Sequence, residues 1–178
     1  MKYIKLYEGV SKPKKKTEYR QDGSVFWEQW YLGGKVHRED GPAEIEYCAD
    51  GSIKWEIWYL NNVRHREDGP AGIGYYSDGS VKWELWYSND TLHREDGPAE
   101  IGYRPDGSVF WEGWYLGGEQ HREDGPAEIQ YRPDGSIEKW YLNGKSINDV
   151  VTSLKKEGLS NEEIETLIKT RIIGDETH

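Results

Sequence analysis

Apolar residues in this chain follow two different rhythms. Up to about residue 145 they alternate with polar or small residues in runs that stop at Asp-Gly-Ser tripeptides or at pairs of Gly, Asn and Asp. Period-two runs between turn residues predict strands joined as hairpins. After residue 145 the rhythm changes. Ile147, Val150, Val151 and Leu154 keep the i, i+3, i+4, i+7 spacing of a helix face, behind a Ser146-x-x-Asp149 start signal. Gly158 ends that helix, and Ser160-x-x-Glu163 opens a second one bearing Ile164, Leu167, Ile168 and Ile172.

The strand region is repetitive. His37, His65, His93 and His121 stand 28 residues apart, and the Asp-Gly-Ser turns at 22, 50, 78, 106 and 134 keep the same step. Trp-Tyr pairs recur at 30, 58, 86 and 114, but the fifth begins at 140, two residues early. Such a period predicts stacked copies of one small unit. In the copy AEIGYRPDGSVFWEGWYLGGEQHREDGP, Pro105 and Gly107 suit a type I turn closed by a glycine bulge. Counting outward from that turn sets Tyr103 opposite Val109, Ile101 opposite Trp111 and Ala99 opposite Gly113. In the second unit the same count sets Tyr47 opposite Ile53 and Ile45 opposite Trp55. The other face then carries Glu28, Glu56, Glu84 and Glu112, with Trp30, Trp58, Trp86 and Trp114 beside them. Phe26, Lys54, Lys82 and Phe110 precede these on the same face by simple alternation.

The predicted fold is mainly β: an elongated single-layer antiparallel β-meander, or solenoid, of about five hairpin repeats with a C-terminal α-helical cap. Residues 1–18 form an N-terminal strand and basic loop, 19–145 the repeats, and 146–178 the helical hairpin. The basic run at 12–16 reads as a solvated loop. A stacked sheet leaves an unpaired edge at each end, so end caps are expected. The helices or the sheet edges also offer a route to a homodimer.

Composition sharpens this picture. Nine Trp and thirteen Tyr accompany only two Phe and one Met, so burial must come from large aromatics with polar edges. The first twenty residues carry +5 and the last thirty −3, which leaves −12 on the repeats of a chain with net charge −10. An acidic body favours cationic or mixed protein surfaces and disfavours nucleic acid and anionic membranes. Cys48 is the single cysteine, so no internal disulfide forms, and no run is long and apolar enough to span a membrane. A soluble cytoplasmic protein is expected.

The heptapeptide His-Arg-Glu-Asp-Gly-Pro-Ala at 37–43, 65–71, 93–99 and 121–127 looks like catalytic equipment. Equivalent residues two strands apart are separated by about 9–10 Å, too far to share one metal ion. Four near-identical copies also lack the asymmetry of an active site. Neither a metal, a cofactor nor a catalytic residue is expected. The structural reading has Asp bonding nearby amides, Gly supplying an unusual φ and Pro ending the strand. Arg38, Arg66, Arg94 and Arg122, with the four histidines, would pair with the glutamate row or with the motif's own Asp.

With the unit laid out, WYLxGxxHREDGPAxIxYxxDGSxxWExWY resembles the MORN repeat: an aromatic pair, a Gly/Asn turn, a histidine step and an Asp-Gly turn. The 28-residue unit is longer than the usual MORN unit, and Arg-Glu-Asp-Gly-Pro replaces a simple glycine step. It looks like a longer variant of the kind associated with bacteriophage and giant-virus proteins. The resemblance implies a β-meander scaffold for protein–protein contact and, in a viral setting, a binder of a host defence factor in host cytoplasm. The candidate partner face is Phe26, Lys54, Lys82 and Phe110 with the row Trp30, Trp58, Trp86 and Trp114. Acidic mimicry of nucleic acid, and glycan binding or processing by tryptophans beside carboxylates, are the alternative readings.

Overall fold

A computed structural model describes the backbone of residues 12–173 and the side chains of 12–170. Ten strands follow one another in chain order across an open antiparallel sheet. They are Lys14–Tyr19, Val25–Leu32, Glu44–Tyr47, Ile53–Ile57, Gly72–Tyr75, Val81–Leu85, Glu100–Tyr103, Val109–Gly113, Glu128–Gln130 and Ile137–Lys139. The sheet is a meander and does not close into a barrel. Residues 1–11 of the expected N-terminal cap lie outside the described residues. Lys14, Lys15 and Lys16, read above as a loop, instead form the exposed edge strand, because each finds a backbone partner in Val25–Leu32. A lysine-rich edge resists pairing with another chain.

The Asp-Gly-Ser turns form as their residues dictate. Gly107 has φ +81°, its N–H donates to Arg104 O at 2.9 Å, and Arg104 N donates to Ser108 O at 2.8 Å. Asp106 Oδ1 accepts from both the N–H and the hydroxyl of Ser108, at 2.9 and 2.6 Å.

Beyond the turn the register departs from simple alternation. Tyr103 faces Val109 and Tyr47 faces Ile53 as counted, but the next pairs are Gly102 with Trp111 and Glu46 with Trp55. Ile101 therefore opposes Glu112, and Ile45 opposes Glu56, not the tryptophans. A β-bulge at each of these hairpins inserts one unpaired residue, which is Phe26, Lys54, Lys82 or Phe110. A bulge reverses the parity of every position after it. The fifth unit lacks it: Ile137 pairs with Gln130, the place taken by Trp111 in the copy before. The two residues missing from that unit are the bulge pair itself.

After each long strand the chain makes a short hairpin, such as Tyr59–Leu60 with Val63–Arg64, over a turn whose central residues both have positive φ. Bonds to the preceding copy tie these hairpins together: Asn62 N donates to Val36 O at 2.8 Å, and Asp90 N to Arg64 O at 3.0 Å.

At the C-terminal end, α1 (Asn148–Lys156) and α2 (Asn161–Leu167) pack on the fifth unit, and a π-helical turn, Ile168–Ile173, continues α2. The largest buried cluster is here: Trp140, Leu142, Val151, Ile164 and Ile168, flanked by Ile147, Leu154 and Leu159. Ser160 and Glu163 form the predicted capping box. The Ser146-x-x-Asp149 signal does not cap α1. Ile147 is the cap, and Ser146 Oγ instead receives Asn148 Nδ2 at 2.8 Å while Asn148 Oδ1 binds Trp140 N.

Candidate functional site

One face of the sheet repeats from copy to copy, with Thr17 of the edge strand standing where later copies have isoleucine. Its central row runs Glu28, Ile45, Glu56, Ile73, Glu84, Ile101, Glu112, Ile129, Glu138, each opposite the next. The shifted register spaces the glutamates by isoleucines, so no cation need stand between them. Three of the glutamates receive a tyrosine hydroxyl from the following hairpin, Tyr47 to Glu28 at 3.0 Å, Tyr75 to Glu56 at 2.6 Å and Tyr103 to Glu84 at 3.0 Å, while the last, Glu138, meets Lys155 Nζ at 3.4 Å. Burial pushes Glu28 upward, but the Lys15 ammonium and the Tyr47 and Thr17 hydroxyls outweigh it and hold the carboxyl below its usual range.

Burial and the facing carboxylates push the Tyr47 and Tyr103 hydroxyls up to about 12, and raise Tyr75 further. An unfolded tyrosine ionises near pH 10. Because the folded chain holds these protons more tightly, their contribution to stability is complete below pH about 10 and is lost as pH rises through about 12. Absorbance titration at the tyrosinate band should therefore show a group ionising together with unfolding. Ionisation of all tyrosines near pH 10 with the fold intact would contradict this.

The His-Arg-Glu-Asp-Gly-Pro-Ala segments sit along one side of the stack, and most of their polar groups have a local task. Arg38, Arg66, Arg94 and Arg122 lay their guanidinium groups 3.8–4.3 Å from the ring centres of Trp30, Trp58, Trp86 and Trp114. Their Nε atoms donate to Asp40, Asp68, Asp96 and Asp124 at 2.7–2.9 Å, and Nη1 donates to the carbonyl of the motif's proline. Of the two partners considered for the arginines, the structure selects the motif's own aspartate, so Asp serves the guanidinium and not nearby amides. The glycine also differs from expectation. Gly41, Gly69, Gly97 and Gly125 have no left-handed backbone; a Cβ there would lie only 2.7–3.0 Å from the arginine's Cζ. The glycine is there to seat the guanidinium.

The histidines connect copies. His37 Nδ1 accepts from Asn61 N, His93 Nδ1 from Gly117 N and His121 Nδ1 from Asn143 N, at 3.1–3.2 Å. The proton therefore sits on Nε2, which faces Glu39, Glu95 and Glu123 at 3.5–3.7 Å in these three copies. In the second copy His65 Nδ1 is buried without a hydrogen-bond partner. Among the described residues no group of three or more His, Cys, Asp or Glu is arranged to hold a metal ion.

The opposite face is where the copies differ. Equivalent positions read Gln29, Ile57, Leu85, Gly113; Glu44, Gly72, Glu100, Glu128; and Glu46, Gly74, Gly102, Gln130. Trp27, Trp55, Trp83 and Trp111 form a constant row among them, with Trp27 Nε1 donating to Glu44 at 2.9 Å. The bulge residues join this face: Lys54 Nζ meets Glu46 at 2.8 Å, and the Phe110 ring lies against Gly102. Phe26 and Phe110 are among the exposed large hydrophobics. The candidate partner surface read from the sequence thus divides. Phe26, Lys54, Lys82 and Phe110 lie with the Trp27 row, whereas Trp30, Trp58, Trp86 and Trp114 lie behind them under the arginines. Simple alternation missed this. The signal in the sequence was the excess of residues between the Asp-Gly-Ser turn and the Trp-Glu step, visible only against the shortened fifth unit.

Residues just before the Asp-Gly-Ser turns, variable in sequence, brace one turn to the next. Arg20 donates to Val25 O and Tyr47 O, Tyr76 to Tyr103 O, and Arg104 to Val109 O and Tyr131 O. Cys48 occupies the same place without a side chain that reaches Tyr75 O. Cys48→Arg should complete the series and stabilise the fold by about 1 kcal/mol in urea unfolding. An unchanged or lower midpoint would show that the braces are incidental.

No protein-family model and no curated protein sequence matches this chain. No described helix is long and apolar enough to cross a membrane.

Proposed function

We propose that this protein is a non-enzymatic binding scaffold that takes a protein partner on its variable face. One observation carries the reading: within the long strands, the face bearing the Glu–Ile row is constant from copy to copy, while the face bearing Trp27, Trp55, Trp83 and Trp111 carries the substitutions. Positions that build the stack must repeat, whereas positions that meet an irregular partner need not. Half-buried indoles among exposed Phe26 and Phe110 supply rigid apolar contact area. Lys54, Lys82, Glu100 and Glu128 around them suit a partner of mixed charge. The likeness of the unit to MORN repeats fits a scaffold, and a cytoplasmic setting suits the free thiol of Cys48.

The test is affinity capture from cell extract with the native chain and with Phe26→Ser/Phe110→Ser, each checked by circular dichroism. A partner held by the native chain and lost from the folded variant supports the reading. Retention of the same partner by the variant overturns it.

A further inference from the structure

The edge formed by the His-Arg-Glu-Asp segments carries a second surface, separate from the variable face. Between the first two segments lies an open concavity of about 760 Å³, lined by Trp58, Leu60, Glu39 and Glu67 together with Arg38 and Arg66. Related concavities of about 490 and 410 Å³ lie before the first segment and between the third and fourth. In each segment the arginine is spent on its aspartate, so the glutamate has no lysine or arginine of its own segment; in three copies it faces only the histidine Nε2, at 3.5–3.7 Å. Glu39 and Glu95 are 82 % and 84 % exposed.

Two of these concavities already carry a lysine of the chain itself. Lys12 lines the one before the first segment and Lys169, from the π-helical turn, the one between the third and fourth. There Glu123 is only 50 % exposed, and the Lys169 ammonium helps, after Arg122, to hold Asp124 below the usual carboxylate range. No lysine lines the concavity between the first two segments, whose own cations, Arg38 and Arg66, are each held by an aspartate.

We propose that this edge, from Glu39 to Glu95, binds a cationic segment of a partner protein in polyproline II conformation, with Lys or Arg at every third residue. The spacing selects that conformation. Equivalent carboxylates step by two strands, about 9–10 Å, and a polyproline II chain presents the same side every three residues, about 9.3 Å. A β-strand, which repeats its side every two residues, or about 6.6–6.8 Å, falls out of step.

The probe is the peptide (Lys-Pro-Pro)4, titrated into the full chain at low salt and compared with a peptide of identical composition whose lysines are contiguous. The spaced peptide should bind about ten-fold more tightly, the yield of a few exposed ion pairs in register. Glu39→Gln/Glu67→Gln/Glu95→Gln, all at exposed positions, should abolish that preference, and Phe26→Ser/Phe110→Ser should leave it intact. Equal binding of the two peptides would reduce the effect to general attraction by an acidic body. That result, absence of binding, or a preference that survives the glutamine substitutions would each overturn the proposal. Because the assay uses a synthetic peptide, its outcome is independent of whether the variable face captures a partner.

Discussion

Trp140→Ala should destabilise the protein by about 3–5 kcal/mol, the largest loss expected from a single substitution here. Trp140 is 2 % exposed and belongs to the buried cluster at the C-terminal end, with Leu142, Val151, Ile164 and Ile168. Its four counterparts, Trp30, Trp58, Trp86 and Trp114, are each covered by a guanidinium and remain partly exposed. The fifth unit has no His-Arg-Glu-Asp segment after its Trp-Tyr pair, and the helices take the arginine's place. Nε1 of Trp140 makes no hydrogen bond, so the loss is one of packing alone. Urea unfolding followed by far-ultraviolet circular dichroism would show the helical signal melting first. Trp58→Ala should cost less, since its indole is not fully enclosed. Equal losses at the two sites would mean that the helices add nothing beyond what an arginine supplies.

Gly97→Ala is the second, at about 1–3 kcal/mol, because the arginine tip that the new methyl meets must give up its place over Trp86 and its bond to Asp96. The added Cβ would stand 2.7 Å from Arg94 Cζ and 2.9 Å from Nε, while the backbone itself is open to any L residue. The decisive measurement is the double mutant. In an Arg94→Ala background the steric conflict is gone, and the alanine should become neutral or stabilising by about 0.4–1 kcal/mol through the unfolded chain. Had the glycine served a left-handed turn, the cost would persist without the arginine. The heptapeptide thus works as a clasp: Trp86 below, Arg94 across it, Asp96 and the Pro98 carbonyl holding the guanidinium, and Gly97 leaving it room. Its histidine then ties that clasp to the next copy through Gly117 N.

Much of this was legible in the residues. The 28-residue step, the Asp-Gly-Ser turns, the meander and the helical pair are all set by local preferences: φ at Gly107, side-chain bonding by Asp106, the capping box of Ser160 and Glu163, and hydrophobic period. Such features act over a few neighbouring residues, so a linear reading captures them. What it could not supply was parity. One unpaired residue in each of the first four hairpins moves Phe26, Lys54, Lys82 and Phe110 to the face of the Trp27 row, and it interleaves glutamate with isoleucine across the other. The choice of the motif's own aspartate over the glutamate row as the arginine's partner was likewise beyond the sequence, since the fold alone sets how near that row comes to the segment. Turn chemistry and hydrophobic period fix which segments pair. Only the folded sheet, where a bulge shifts every later side chain by one place, decides which residues share a surface.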